Sequence, residues 1–100
     1  MPYFQVMLHG ADVLIPDENP ENAIVGFYTT RIVRAANEEA AELAACAMVQ
    51  AQWLEPEYKS NNIGGPPQLK IESVQRSSFI AWLRFRNTGH TFYGPGDAAA

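Results

Sequence analysis

The sequence has only one cysteine, Cys46, in 100 residues. A lone thiol cannot form a disulfide within the chain, and without a second thiol there is no cysteine-based zinc site. The longest apolar run covers residues 43–49, whereas a membrane-spanning helix needs roughly 20 apolar residues. The N-terminus has no basic segment ahead of an apolar one, as a secretory signal would. We therefore predict a soluble, cytoplasmic protein with no membrane partner.

Basic residues are also scarce, since seven Lys and Arg stand against eleven Asp and Glu, for a net charge of -4. Nucleic-acid binders draw affinity from clustered Lys and Arg, so we predict no nucleic-acid partner. Residues 1–57 carry nine acids and two bases, net -7, and residues 58–100 carry two acids and five bases, net +3. This asymmetry can orient two copies of the chain or steer a charged partner, or it can simply reflect acidic loops and helix caps.

Apolar residues make up 47% of the chain, which is enough to bury a core. A chain of this length supports one core, so we predict a single domain over residues 1–100, with 94–100 as a frayed tail. Alternating or β-branched residues predict strands over 3–10, 23–34, 68–76 and 91–93. We expect a bend near Gly26, a phase slip before Val74 and a short extended piece at 13–15.

Asn37 is a good N-cap, and the Ala-rich sequence after it predicts a helix to about Leu54, ended by Pro56. The stripe expected to lie on the sheet consists of Ala40, Leu43, Ala44, Ala47, Ala51 and Leu54. Val49 and Trp53 then fall on the far side, as apolar residues at an exposed helix edge. Residues 55–67 are predicted to form a loop.

The segment 77–87 fits two structures. As a strand it would align Phe79, Ala81, Leu83 and Phe85; as a helix it has Ser77 or Ser78 as a cap and Gly89 as a stop, which favours the helix. The order of elements is then β-β-α-β-(α)-β. It predicts an α+β fold, a two-layer sandwich of ferredoxin-like or related type, with helices on one face of a mainly antiparallel sheet.

The two histidines, His9 and His90, could hold a divalent metal with Asp12 or Asp97 if the ends of their strands were adjacent. Their spacing has no HxxxH or HxH pair, so we predict independent histidines, no metal and no other cofactor. The metal site at His9 and His90 remains the alternative. Cys46 lies mid-helix, where it is predicted to pack as a small hydrophobe.

Pro2 would become the chain terminus if Met1 were removed. Its secondary amine would then be partly neutral near pH 7 and could act as a general base. A proline amine before a strand resembles the tautomerase superfamily, small oligomeric α/β proteins whose terminal proline moves protons on enol substrates. That resemblance implies Arg31 or Arg34 as an anion clamp. It covers only this end of the chain, because the family continues into a helix where this sequence continues into a Pro-rich loop.

One side of the sheet carries mixed aromatic, Met and polar residues, the composition of interface cores. Such a face needs a cover, which could be the helix at 77–87, a second copy or a partner. The predicted binding surface consists of Tyr3, Met7, His9, Tyr28, Ile32, Val49 and Trp53.

The segment 27–75 ends a strand in Arg-Ile-Val-Arg-Ala-Ala, begins a helix with Asn-Glu-Glu-Ala and returns through Lys-Ile-Glu-Ser-Val. This order resembles small bacterial proteins of ferredoxin-like type, among them accessory subunits of enzymes and toxin–antitoxin partners. The resemblance implies no active-site residue. Our main hypothesis is a small binding or accessory protein that acts by homo-oligomerisation or through a protein partner. A tautomerase-like enzyme using Pro2 and Arg31 is the alternative.

Overall fold

A computed structural model describes residues 1–85 and 89–95. Within them the chain forms an α+β fold with a four-stranded antiparallel sheet and three helices. The strands are β1 (Tyr3–Ala11), β2 (Gly26–Arg34), β3 (Gln68–Ser77) and β4 (Thr91–Tyr93), and the helices are α1 (Glu38–Trp53), α2 (Pro56–Asn61) and α3 (Phe79–Arg84).

The sheet has the strand order β3-β1-β2-β4, so β1 and β2 are its central strands. β1 pairs with β2 from Tyr3 opposite Arg34 to Gly10 opposite Phe27. Because side chains alternate across a strand, this register places Phe4, Val6 and Leu8 on one face. The predicted bend near Gly26 corresponds to the start of β2, and the short extended piece forms an isolated bridge between Ile15 and Ile24.

Helix α1 begins as predicted, since the Asn37 side chain accepts a hydrogen bond from the Ala40 backbone N–H. The predicted buried stripe is only partly correct, because Ala40 and Ala44 pack against the core but the fully buried residues lie on a neighbouring stripe. The residues that α1 buries are Ala41, Ala45, Val49 and Trp53, whereas Leu43 and Leu54 are exposed. Alanines occur on all sides of α1, so the periodicity of its apolar residues is weak. The side that packs Trp53 and Val49 on the sheet buries the larger apolar area.

Helix α2 lies where the sequence predicted only a loop. Pro56 occupies its first turn, a position where the missing proline N–H breaks no hydrogen bond. Tyr58, half-buried, packs its ring on Trp53 with the ring centroids 4.9 Å apart. The proline that ends α1 therefore also begins the next helix.

The predicted phase slip before Val74 is confirmed as a register shift, because Met7 pairs with Ser73 and Leu8 with Ile71. Helix α3 confirms the helical interpretation of this region, and Ser78 caps it by accepting a hydrogen bond from the Ala81 N–H. It ends at Arg84, before the predicted stop at Gly89. Residues 86 and 87, and residues 96–100 of the predicted tail, lie outside the described part of the chain.

The core lies between the sheet and α1. Phe4, Val6 and Leu8 of β1 form a cluster there with Phe27 and Trp53. The Phe27 and Trp53 rings stack with their centroids 4.9 Å apart and their planes 14° from parallel. Gly10 lies opposite Phe27 on β1 and leaves space for its ring.

Candidate binding surface

The face of the sheet opposite α1 contains polar and aromatic side chains together. We call it the open face, and its central residues are Tyr3, Gln5, Met7 and His9 of β1 with Tyr28, Thr30, Ile32 and Arg34 of β2. The observed register places these two sets of side chains on one face of the sheet. Met7 and Tyr28 are exposed, whereas Tyr3 and His9 are half-buried.

An aromatic cluster occupies one end of the open face. His9 stacks on Tyr28, its cross-strand neighbour, with ring centroids 4.7 Å apart and planes 20° from parallel. A hydrogen bond of 2.6 Å joins Nε2 of His9 to the Tyr93 hydroxyl. Tyr93 lies opposite Gly26, where the absence of a side chain leaves room for its phenol. These contacts connect the short strand β4 to the centre of the sheet.

Helix α3 lies at the other end of the open face. Its Phe79 and Trp82 rings contact Tyr3, with centroid separations of 6.0 Å and 5.5 Å. Since Tyr3 points away from α1, the prediction that the helices share one face is wrong for α3. The physical reason is that β3 ends beside Tyr3, so the turn at Ser78 directs the next segment over that face.

The apolar side chains of α3 are poorly covered. All six of its residues are described, and none is buried. Phe79, Ile80, Trp82, Leu83 and the following Phe85 are each between 39% and 65% exposed. Large exposed apolar patches of this kind mark interaction sites in soluble proteins. This surface was missed in the sequence, where the helix at 77–87 was considered only as one of three possible covers for the sheet.

A cavity of about 310 Å³ separates the end of α3 from the strands. Phe85 lines it from one side, and Met7, Tyr28 and Thr30 line it from the open face. Its walls therefore combine aromatic, thioether and hydroxyl groups, a lining that accepts an apolar side chain with a polar edge.

The two ends of the open face differ in charge. Arg34 lies opposite Tyr3 and Arg84 ends α3, so the end near α3 is basic. At the other end β1 leads into an exposed loop of opposite charge. Its acidic residues are Asp12, Asp17, Glu18 and Glu21. The charge asymmetry of the sequence is therefore also an asymmetry in space.

Three residues of the predicted binding surface are unavailable to a partner. Val49 and Trp53 are buried against the sheet by α1, and Ile32 is buried on the open face. The error on Val49 and Trp53 follows from the wrong choice of helix stripe. Tyr3, Met7, His9 and Tyr28 all lie on the open face.

Pro2 and Arg31 are not brought together. The Pro2 carbonyl accepts a hydrogen bond from Ala35 at the end of β2, and Arg31 lies four residues earlier along the chain, about 13 Å away at the usual rise of a strand. Arg31 also points to the α1 side, where it is buried. The arrangement offers no support for an anion clamp beside Pro2.

His9 and His90 lie on opposite sides of the sheet. His9 belongs to the open face, whereas His90 packs edge-on against Phe27 and Trp53 in the core and accepts a hydrogen bond of 3.3 Å from Nε1 of Trp53. The two rings therefore do not converge on one ion. Residues 1–85 and 89–95 contain no cluster of three or more His, Cys, Asp or Glu side chains arranged to hold a metal, and Asp97 lies outside them.

Burial raises the pKa of three side chains in the described part of the chain, Tyr93, Tyr58 and Cys46. It raises the pKa of Tyr93, with smaller contributions from Tyr28 and Asp12. It likewise raises the pKa of Tyr58, where nearby glutamates add to the effect and Arg31 opposes it. Burial also raises the pKa of the Cys46 thiol, and Glu42 adds to it, so Cys46 is a poor nucleophile at neutral pH.

The raised tyrosine pKa values predict a loss of stability at high pH. The unfolded chain releases these phenolic protons near pH 10, whereas the folded chain holds them to higher pH. The two protonated tyrosines therefore make their full contribution to the free energy of unfolding below about pH 10. This contribution is lost as the pH rises through the folded-state pKa. Urea unfolding between about pH 8 and about pH 11 measures this slope. We expect a shallower slope in Tyr58→Phe and Tyr93→Phe, and unchanged slopes in both variants would contradict the assignment.

The chain matches no protein-family model, and no curated protein or solved structure is similar enough to establish a relationship. In the described part of the chain, no helix combines the length and apolarity that crossing a membrane requires.

Proposed function

We propose that the protein functions by self-association, as a homodimer in which the open face and α3 of one copy dock on the same surface of a second copy. The observation that carries the proposal is the exposure of every large apolar side chain of α3. A second copy would remove these side chains from water, and the hydrophobic effect favours this by about 25 cal/mol per Å².

The shape of the surface supports a two-fold arrangement. Within one copy, α3 covers the Tyr3 end of the open face and leaves the end with His9 and Tyr28 uncovered. If the strands of the two copies run antiparallel across the interface, each α3 lies over the uncovered end of the other copy. An apolar side chain of α3, such as Leu83, would then fill the cavity beside Met7. An interface of this kind uses the same patch twice and closes on itself.

The charges support the same orientation. The antiparallel arrangement places the basic end of one copy, with Arg34 and Arg84, against the acidic loop of the other, which contains Asp17 and Glu18. A parallel arrangement would place the arginines of both copies together. Complementary charges favour the first orientation and disfavour the second.

Sedimentation of Leu83→Glu tests the proposal. We expect the wild-type chain of 11.1 kDa to sediment as a dimer at about 100 µM, and the variant to sediment as a monomer. A carboxylate at the centre of an apolar interface would be left unpaired when buried. Circular dichroism should be unchanged, because the Leu83 side chain is 65% exposed in the single copy.

Leu43→Glu is the matched control, since Leu43 is 68% exposed on α1, on the opposite side of the molecule. It makes the same change of charge and should retain the dimer. A monomeric wild type at about 100 µM would overturn the proposal, as would dimers that survive Leu83→Glu. The ferredoxin-like assignment, a cytoplasmic location and a bacterial origin stay predictions.

A further inference from the structure

Arg31 is a buried cation in the helix-facing layer. On β2 it follows Phe27 and Thr29 in the alternation that points toward α1, and it lies opposite Val6. Its side chain is only 2% exposed. Arginine is among the residues that are almost never fully buried unless they are paired, so its surroundings are informative.

The guanidinium group is incompletely paired. Nη2 donates a hydrogen bond of 2.6 Å to Oε1 of Gln52 on α1. The Nε–H is buried and has no acceptor among residues 1–85 and 89–95. Leaving a buried donor of a charged group without an acceptor is costly, because the lost hydration is not replaced.

Further hydrogen-bonding groups lie beside this cation. The Tyr58 hydroxyl is 3.5 Å from Nε2 of Gln52, and Tyr58 is near enough to Arg31 for each to affect the pKa of the other. Burial lowers the pKa of Arg31, yet an arginine side chain stays protonated in proteins. A permanent positive charge and a phenolic O–H are both available to an anion.

We propose that Arg31 binds a small oxyanion, a carboxylate or a phosphate group, through its Nε–H with the Tyr58 hydroxyl as a second donor. Arginine recognises both groups by the same planar, charge-assisted geometry. The anion would neutralise the buried charge and occupy the unpaired donor. The proposal does not depend on self-association, and the site is distant from Pro2.

Helix α2 provides the access. It is a helix of six residues, all described, with no buried residue and no side-chain hydrogen bond at its N-cap. Tyr58 is its main anchor, through ring contacts with Trp53 and His90 at centroid separations of 4.9 Å and 5.7 Å. Short segments with few buried contacts open at low free energy. Movement of Tyr58 would therefore expose Arg31 to an anion from solution.

Thermal unfolding of the full chain with sodium acetate or sodium phosphate tests the site, with sodium chloride at matched ionic strength as the reference. We expect the preferred oxyanion to raise the Tm by about 5 °C at saturation. The two salts distinguish a carboxylate from a phosphate ligand. Arg31→Met should abolish the shift while keeping most of the apolar stem. Lys70→Met, which removes an exposed cation from β3, should retain it.

An NMR titration of the wild-type protein tests the same site without requiring that Arg31→Met folds. In ¹⁵N NMR, the Nε–H resonance of Arg31 should move and saturate as acetate or phosphate is added. A resonance that stays in place with both salts would overturn the proposal. Equal Tm shifts in wild type and Arg31→Met would do the same, because they would show a general salt effect.

Discussion

Replacing Trp53 with Ala is expected to lower the free energy of unfolding by about 3–5 kcal/mol. The Trp53 ring is 3% exposed, stacks on Phe27 and contacts Tyr58, and its Nε1 donates a hydrogen bond to His90. Its removal leaves a cavity between α1 and the sheet and deletes the hydrogen bond from Nε1 of Trp53 to His90. Since small domains are stable by only about 5–15 kcal/mol in total, the variant should be close to unfolding at room temperature.

Trp82→Ala is the matched control for this variant. Trp82 is 39% exposed, and its ring contacts Tyr3 and Phe79 outside the core between α1 and the sheet. Its loss should reduce the stability of the single copy by about 1 kcal/mol or less. Both changes are best measured by urea unfolding in the Leu83→Glu background, so that self-association does not contribute. Equal losses from the two variants would show that α1 does not organise the core as described.

Gly10→Ala is expected to destabilise the protein by about 1–3 kcal/mol through overpacking. A methyl group at Gly10 would overlap the Phe27 ring that crosses it on the next strand. Phe27 cannot move away freely, because Trp53 stacks on it at 4.9 Å. The added methyl must therefore displace the strand or the stacked pair.

Gly89→Ala separates this packing effect from the general effect of replacing glycine. No atom of the described chain would lie within 4 Å of a methyl group at Gly89. The free energy of unfolding of Gly89→Ala should therefore differ from that of the wild type by less than about 0.5 kcal/mol. Chemical denaturation of the two variants side by side provides the comparison. If Gly10→Ala proved as stable as Gly89→Ala, the close approach of Phe27 to β1 would be wrong.

The strands and their faces could be predicted because each depends on a short repeating pattern. The alternation in β1 and β2 decides which residues of each strand point to the same side, and His9 and Tyr28 do lie on one face. The caps Asn37 and Ser78 also act locally, through hydrogen bonds to backbone groups three residues away. Such signals need no knowledge of the rest of the chain.

The buried side of α1 could not be predicted from its own sequence. Its alanines make several stripes similar in apolar content, and the choice depends on what the sheet offers opposite. Phe27 presents a flat ring that Trp53 covers, which buries more area than Leu43 or Leu54 would in its place. Helix α2 could not be predicted for the same reason, because it depends on the packing of the Tyr58 ring against Trp53.

By itself, the sequence determined the α+β class, the central strands with their two faces, the capped starts of two helices and the uneven charge. These follow from residue spacing and from hydrogen bonds between near neighbours. The tertiary structure alone decided that α3 crosses to the open face with its apolar side chains exposed, and that Arg31 is buried with an unpaired donor. Both depend on contacts between residues distant in the chain, which local patterns do not encode.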